Sequence, residues 1–293
     1  MSDFSIINLK DIGEPAAEVA NNVINKVGKA LSWSVSPKGL QPYVNEGHKS
    51  IIEEIAARQD INPIERAALL NNYKKIIKEY SNQNDVLNVA LQHLNANAQP
   101  SMVEDDWITC FFEKAKLISE SDMQYVWGRL LAGEFNEPNT YTKQLVHTLS
   151  IMDSQLALRF QRIRSSCFFV PPHLYTLIYR SNNDSINNIN RYERKKIFFA
   201  DMRELENIGI IQYGFPNFYT IKNSHKKLYY GNNVVSLHTE KKTIYTGNVS
   251  LTAVGKQLCR IAPMEFDEEI FAICMDAWTK LGYNPTVEIT ATE

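Results

Sequence analysis

The sequence predicts a mainly α-helical protein with a small β component: an N-terminal helical bundle followed by a winged-helix-like α+β module. Three observations carry this. Apolar residues recur at helical spacing through most of the first 166 positions. After residue 167 the texture changes to short β-rich pieces separated by Gly, Pro and Asn turns. Within that second part, a helix ends in Leu205-x-x-Ile208-Gly209-Ile210-Ile211 and leads into strands and a turn, a winged-helix layout. The expected segments are an N-terminal helical region over 1–100, a helical core over 101–166 and the α+β module with a C-terminal helix over 167–293.

Each element has a local reason. Residues 15–35 read as a helix, with Pro15 in the first turn and Ala16, Ala20, Val23, Val27 and Leu31 on one stripe. Another helix begins near Gly47. Asn62, Pro63 and Glu65 open the next, with Asn62 as cap. The polar stretch SNQND predicts a break, with Asn84 or Asp85 opening a further helix. Asp105 or Asp106 caps the helix bearing Ile108, Phe111 and Phe112. Ser119 caps the helix bearing Met123, Trp127, Leu130 and Leu131, and Asp153 caps one bearing Leu156, Phe160 and Ile163. A single helix is expected from 191 to 208, closed by Gly209. Strands are expected at IIQY, FYTI, KLYY, VVSLHT, KTIYT and TVEIT. Helices are expected from Thr252 and from Asp267, the last closed by Gly282.

Composition sets the class. The chain is 44% hydrophobic and 22% charged over 293 residues, enough to bury a core without covalent staples. Cys110, Cys167, Cys259 and Cys274 have no CxxC spacing, which predicts free buried thiols. No leader pattern opens the sequence, and no run approaches the length of a membrane span, so a cytoplasmic protein is expected. The longest apolar run, CFFVPPHLYTLIY, is interrupted by Pro171 and Pro172. Peripheral membrane contact through 15–35 is disfavoured, because Glu14 and Glu18 dilute its basic face.

The charge is uneven. Residues 1–154 carry a net −6, residues 155–260 a net +10 and residues 261–293 a net −6. The basic middle either meets its acidic flanks within the fold or faces a polyanion. The cations that would meet nucleic acid are Arg191, Arg194, Lys195 and Lys196 on the helix, with Lys226 and Lys227 at a wing tip.

The stretch ISESDMQYVWGRLLAGEFNEP, residues 118–138, is the most pronounced in the chain. Trp127 shares its helix face with Met123, Leu130 and Leu131, so it belongs to the core, together with Trp107 and Phe111. Arg129 and Glu134 lie elsewhere on the wheel and are candidate partner contacts. No catalytic pattern accompanies them. The six histidines are scattered, and no HExxH, phosphate loop or GxSxG elbow occurs. No catalytic residue, cofactor or metal is expected.

A family resemblance rests on the same stretch. Asp106, Trp107, Phe111, Phe112, Ser119, Asp122, Met123, Gln124, Trp127, Leu130, Leu131, Ala132, Gly133, Glu134 and Pro138 match the signature of a bacterial family known as domain of unknown function 2806. FFADMRELENIGII and LTAVGKQLCRI resemble its C-terminal half, so the likeness spans roughly residues 104–262. The layout is also similar to abortive-infection alpha proteins, which implies a link to phage defence. The expected function is a non-catalytic interaction or sensor protein with a protein partner, compatible with a homo-oligomer. The alternative is a nucleic-acid-binding regulator that uses the basic module.

Overall fold

Pro63 and Asn62 start the longest helix of the protein as the sequence requires: the Asn62 side-chain oxygen accepts the Glu65 amide at 2.9 Å. The structure is a computed structural model that describes residues 14–33, 49–178, 189–214, 219–222, 227–262 and 264–289. The chain is mainly α with a small β part and divides into two compact units, Met1–Ser150 and Ile151–Glu293. The division falls neither at residue 100 nor at residue 166. Residues before 100 pack with the core helices, and the helix after 153 packs with the second unit.

The first unit is helical: α1 (Glu14–Ala30), α2 (49–57), α3 (Pro63–Gln92), α4 (Asp105–Ala115), α5 (Ser121–Asn136) and α6 (Lys143–Ser150). In α1, Ala20, Val23 and Val27 are buried, and Lys26 Nζ pairs with Asp105 of α4 at 2.7 Å. The apolar stripe of α1 is therefore spent within the unit. The expected break at SNQND does not occur, and α3 runs unbroken for 30 residues, about 45 Å. The reason is tertiary. Asn82 Nδ2 donates to the Lys116 carbonyl at 2.8 Å and Gln83 Nε2 to the Phe112 carbonyl at 3.2 Å. Polar side chains that would favour a turn instead satisfy the end of α4. Asn136 does the same for α3, donating to the His93 carbonyl at 3.0 Å and accepting the Asn95 amide at 2.8 Å.

The caps differ by one position from expectation in two places. Glu104, not Asp105 or Asp106, precedes α4, and Glu120, not Ser119, precedes α5. The acids of the first turns still face the positive end of each helix.

The second unit contains α7 (Ser154–Arg164), β1 (Cys167–Val170), β2 (His173–Thr176), α8 (Ile189–Arg194), α9 (Phe199–Asn207), β3 (Ile211–Tyr213), β4 (Tyr219–Lys222), β5 (Lys227–Tyr230), β6 (Asn233–Leu237), β7 (Thr243–Gly247), β8 (Val249–Leu251), α10 (Ala253–Ile261), α11 (Glu268–Lys280) and β9 (Pro285–Ile289). The caps Asp153, Thr252 and Asp267 hold as expected, each accepting a backbone amide of its own helix. The main sheet is antiparallel with strand order β2-β1-β5-β6-β9. Two smaller ladders pair β3 with β8 and β4 with β7. The hairpin of β1 and β2, turning over Pro171-Pro172, lies in the run that the sequence showed only as apolar. Trp278 of α11 packs edge-on against Phe168 of β1, 5.6 Å between ring centroids.

The single helix expected over 191–208 is two. Lys196 takes a left-handed φ of 57°, its amide bonding the Glu193 carbonyl and the Ile197 amide bonding the Tyr192 carbonyl. That geometry closes α8. Asp201 then lies in the first turn of α9. The basic residues thus sit on α8 and the break, not on the helix that precedes β3. Much of the Asn-rich stretch 181–190 lies outside the described residues.

Candidate functional site

The α5 signature is built for contact with its neighbours. Trp127 is fully buried, its ring 5.1 Å from Phe111, which stacks on Trp107 at 5.3 Å. Trp107 donates its indole N–H to the Tyr141 carbonyl at 2.8 Å. Met123, Leu130 and Leu131 are buried as well, so the six expected core residues all lie inside. The glycines are spacers. A Cβ on Gly128 would lie 2.4 Å from Val89 Cβ, which places α3 and α5 in near-backbone contact. A Cβ on Gly133 would lie 2.7 Å from the Tyr141 ring.

Glu134 corrects the sequence reading. It is 2% exposed and accepts the amides of Asn139 at 2.7 Å and Tyr141 at 2.8 Å. Asn139 has a φ of +66°, in the left-handed region that Asn tolerates. The carboxylate therefore shapes the loop between α5 and α6 and is not available to a partner. Arg129 is half-buried beside His93 and is not brought to Glu134.

This carboxylate gives a pH dependence. Burial pushes the Glu134 carboxyl above its ordinary range, against backbone amides that pull it down. A carboxyl whose pKa is raised on folding binds its proton more tightly in the native state. Stability therefore falls as pH rises from the unfolded glutamate value, about 4.3, through the folded one. Glu134→Gln should flatten that part of the stability-pH curve, measured by urea denaturation between pH 4 and pH 7. An unchanged slope would show that Glu134 titrates as in the unfolded chain.

Three of the six expected nucleic-acid contacts, Arg191, Arg194 and Lys195, face the acidic C-terminal flank. Arg191 Nη1 lies 3.2 Å from Asp276 Oδ2. Lys195 Nζ lies 2.6 Å from Asp267 Oδ2 and 3.9 Å from Glu269, and Arg194 Nε lies 4.0 Å from Glu269. Asp267 also caps α11, accepting the amides of Glu269 and Ile270. The hydrogen bond from Lys195 to Asp267 raises the lysine pKa. The carbonyl of Lys196 accepts Arg162 Nη1 at 3.3 Å. Lys227 is exposed at the start of β5, and Lys226 lies outside the described residues. Three cations of the basic middle, Arg191, Arg194 and Lys195, thus meet the acidic flank inside one unit.

A second polar cluster escaped the sequence reading. Cys167 of β1 and Cys259 of α10 are buried together beside Arg164, itself 8% exposed. Cys167 Sγ donates to the Ile163 carbonyl at 3.6 Å; contact with Cys167 and the nearby guanidinium lower the Cys259 pKa, while contact with Cys259 and burial raise that of Cys167. Cys259 lies far in sequence from Arg164 and Cys167, so no spacing rule could join it to them. The expected thiols are indeed free. Cys167, Cys259 and Cys274 are buried, and Cys110 is half-buried. Among the described residues, no group of three or more His, Cys, Asp or Glu side chains gathers as metal ligands. Nor is any helix among them long and apolar enough to cross a membrane.

The last feature is the free half of α3. Beyond the seam with α5 its residues turn outward, with Ile64 83% exposed, Ile76 53% and Leu69 38%. Leu69 and Ile76, seven residues apart, share one face of the helix.

A two-unit α+β protein emerges, whose signature residues serve helix contact and loop closure. It belongs to the family described as protein of unknown function (DUF2806), which matches residues 66–274. No curated protein and no solved structure matches the chain.

Proposed function

We propose that this protein is a non-catalytic interaction or sensor protein, acting from the cytoplasm in a bacterial anti-phage response of the abortive-infection kind. The observation that carries the reading is the exposure of Leu69 and Ile76, which lie seven residues apart on one face of α3. Its support is that the other candidate contacts, Glu134, Arg191 and Lys195, are engaged internally. The setting is proposed from the sequence layout alone, which is read as similar to that of abortive-infection alpha proteins. The winged-helix-like succession of α9, β3 and β8 is taken as a protein-contact frame in this reading.

The ion pairs of Arg191, Arg194 and Lys195 weigh against the nucleic-acid alternative, since a phosphate would have to displace carboxylates already in place. The test is plating efficiency of phage on cells expressing the chain. Protection is expected with wild type and lost with Leu69→Asp/Ile76→Asp at equal protein abundance. Protection that survives the double substitution, or is never seen, overturns the reading.

A further inference from the structure

We propose that Cys167 and Cys259 are a peroxide-oxidised pair, in which the Cys259 sulfur beside Arg164 takes up the oxidant and Cys167 closes a reversible disulfide onto it. The proposal goes beyond the interaction reading and does not depend on it.

Contact, burial and charge place the pair. Cys167 opens β1 and Cys259 lies in α10, and the two free thiols touch inside the second unit. Arg164, the last residue of α7, reaches the same interior. Its Nε and Nη1 are buried with no hydrogen-bond partner among the described residues. A buried guanidinium with donors to spare favours a negative charge beside it, and the Cys259 sulfur is placed to carry one.

The two sulfurs are unequal in the way an attacking and a resolving thiol must be. Contact with Cys167 and the charge of Arg164 hold the Cys259 thiol below its ordinary range, whereas contact with Cys259 and burial push Cys167 up. Exposure divides them in the same sense, with Cys259 3% exposed and Cys167 0%. Hydrogen peroxide is uncharged and has two heavy atoms, so a local opening at α10 admits it. Cys274 makes the contrast: it is buried, its Sγ donates to the Leu177 carbonyl at 3.5 Å, and burial pushes its thiol up.

The steps balance. The Cys259 thiolate attacks one peroxide oxygen and the O–O bond breaks. The departing hydroxide takes a proton from solvent and leaves as water. The Cys167 sulfur then attacks the Cys259 sulfenic acid, the S–S bond forms and the S–O bond breaks. The hydroxyl leaves with the Cys167 proton as a second water. Two thiols lose two electrons and two protons, and the peroxide gains both.

The test is peroxide treatment of the reduced full chain, alkylation of the remaining thiols and peptide mass mapping, with far-UV circular dichroism to verify the fold. A linked pair of peptides containing Cys167 and Cys259 is expected, reversed by dithiothreitol, before the more exposed Cys110 is oxidised. Cys167→Ser should stop at a Cys259 sulfenic acid, captured by dimedone, with Cys274 unlabelled. Arg164→Gln should slow linkage about 10-fold, and Arg164→Lys should restore it to within about 3-fold of wild type. A chain that oxidises at Cys110 without the 167–259 link overturns the proposal, as does a folded Arg164→Gln that links at the wild-type rate. If Arg164→Gln does not fold, Cys167→Ser decides: dimedone at Cys259 upholds the proposal, and its absence overturns it.

Discussion

Trp127→Ala is expected to cost about 3–5 kcal/mol of stability, the range for removing a large buried aromatic side chain. The indole is fully buried and touches Phe111, which in turn stacks on Trp107. Its loss opens a cavity where α4 and α5 share these rings, and the backbone on both sides is fixed by other contacts. Trp127→Phe separates packing from polarity. The indole N–H is buried with no hydrogen-bond partner among the described residues, so removing it relieves an unsatisfied donor. The smaller ring should therefore cost only about 1–2 kcal/mol. Urea denaturation followed by far-UV circular dichroism reads both. A wild-type midpoint for Trp127→Ala would mean that the ring is not part of the packed interior.

Gly128→Ala is expected to destabilise by about 2–3 kcal/mol through overpacking. The added methyl would sit 2.4 Å from both Cβ and Cγ1 of Val89 and 3.0 Å from the Val86 carbonyl. A Cβ cannot rotate away, and Val89 is β-branched, so relief requires α3 and α5 to separate. The paired variant Gly128→Ala/Val89→Ala supplies the control. Shortening Val89 removes the Cγ1 contact but leaves its Cβ in place, so part of the loss should return and part should stay. Full recovery would locate the conflict in the valine methyls alone. No loss for Gly128→Ala by itself would mean that the helices do not approach as described.

These two predictions mark where the sequence was informative. Trp127 was assignable to the core because Met123, Leu130 and Leu131 recur on its face, and that periodicity is local. The caps Asn62, Asp153, Thr252 and Asp267 were legible for the same reason, since each acts on amides two or three residues ahead. The continuation of α3 through SNQND was not, because the acceptors for Asn82 and Gln83 lie on α4. Local propensity argued for a turn, and distant carbonyls reversed it. The split of 191–208 turned on the left-handed φ of Lys196, a conformation that lysine does not advertise. Glu134 looked available on a helical wheel because a wheel does not contain the loop that folds back over it. The basic cluster misled in a related way. Its neutralising acids, Asp267, Glu269 and Asp276, were visible as the acidic flank, but only the fold put them opposite Lys195, Arg194 and Arg191.

The side-chain amides that tie Asn82 to Lys116, Gln83 to Phe112 and Asn136 to His93 act as detents between the rods. Apolar surfaces tolerate sliding, because one methyl replaces another at little cost. A directional N–H to carbonyl link does not survive a slip of even one residue, about 1.5 Å along the axis. The bundle is thereby locked to one longitudinal setting, and a pull on the outer end of α3 would meet all three detents before the greasy interior began to yield.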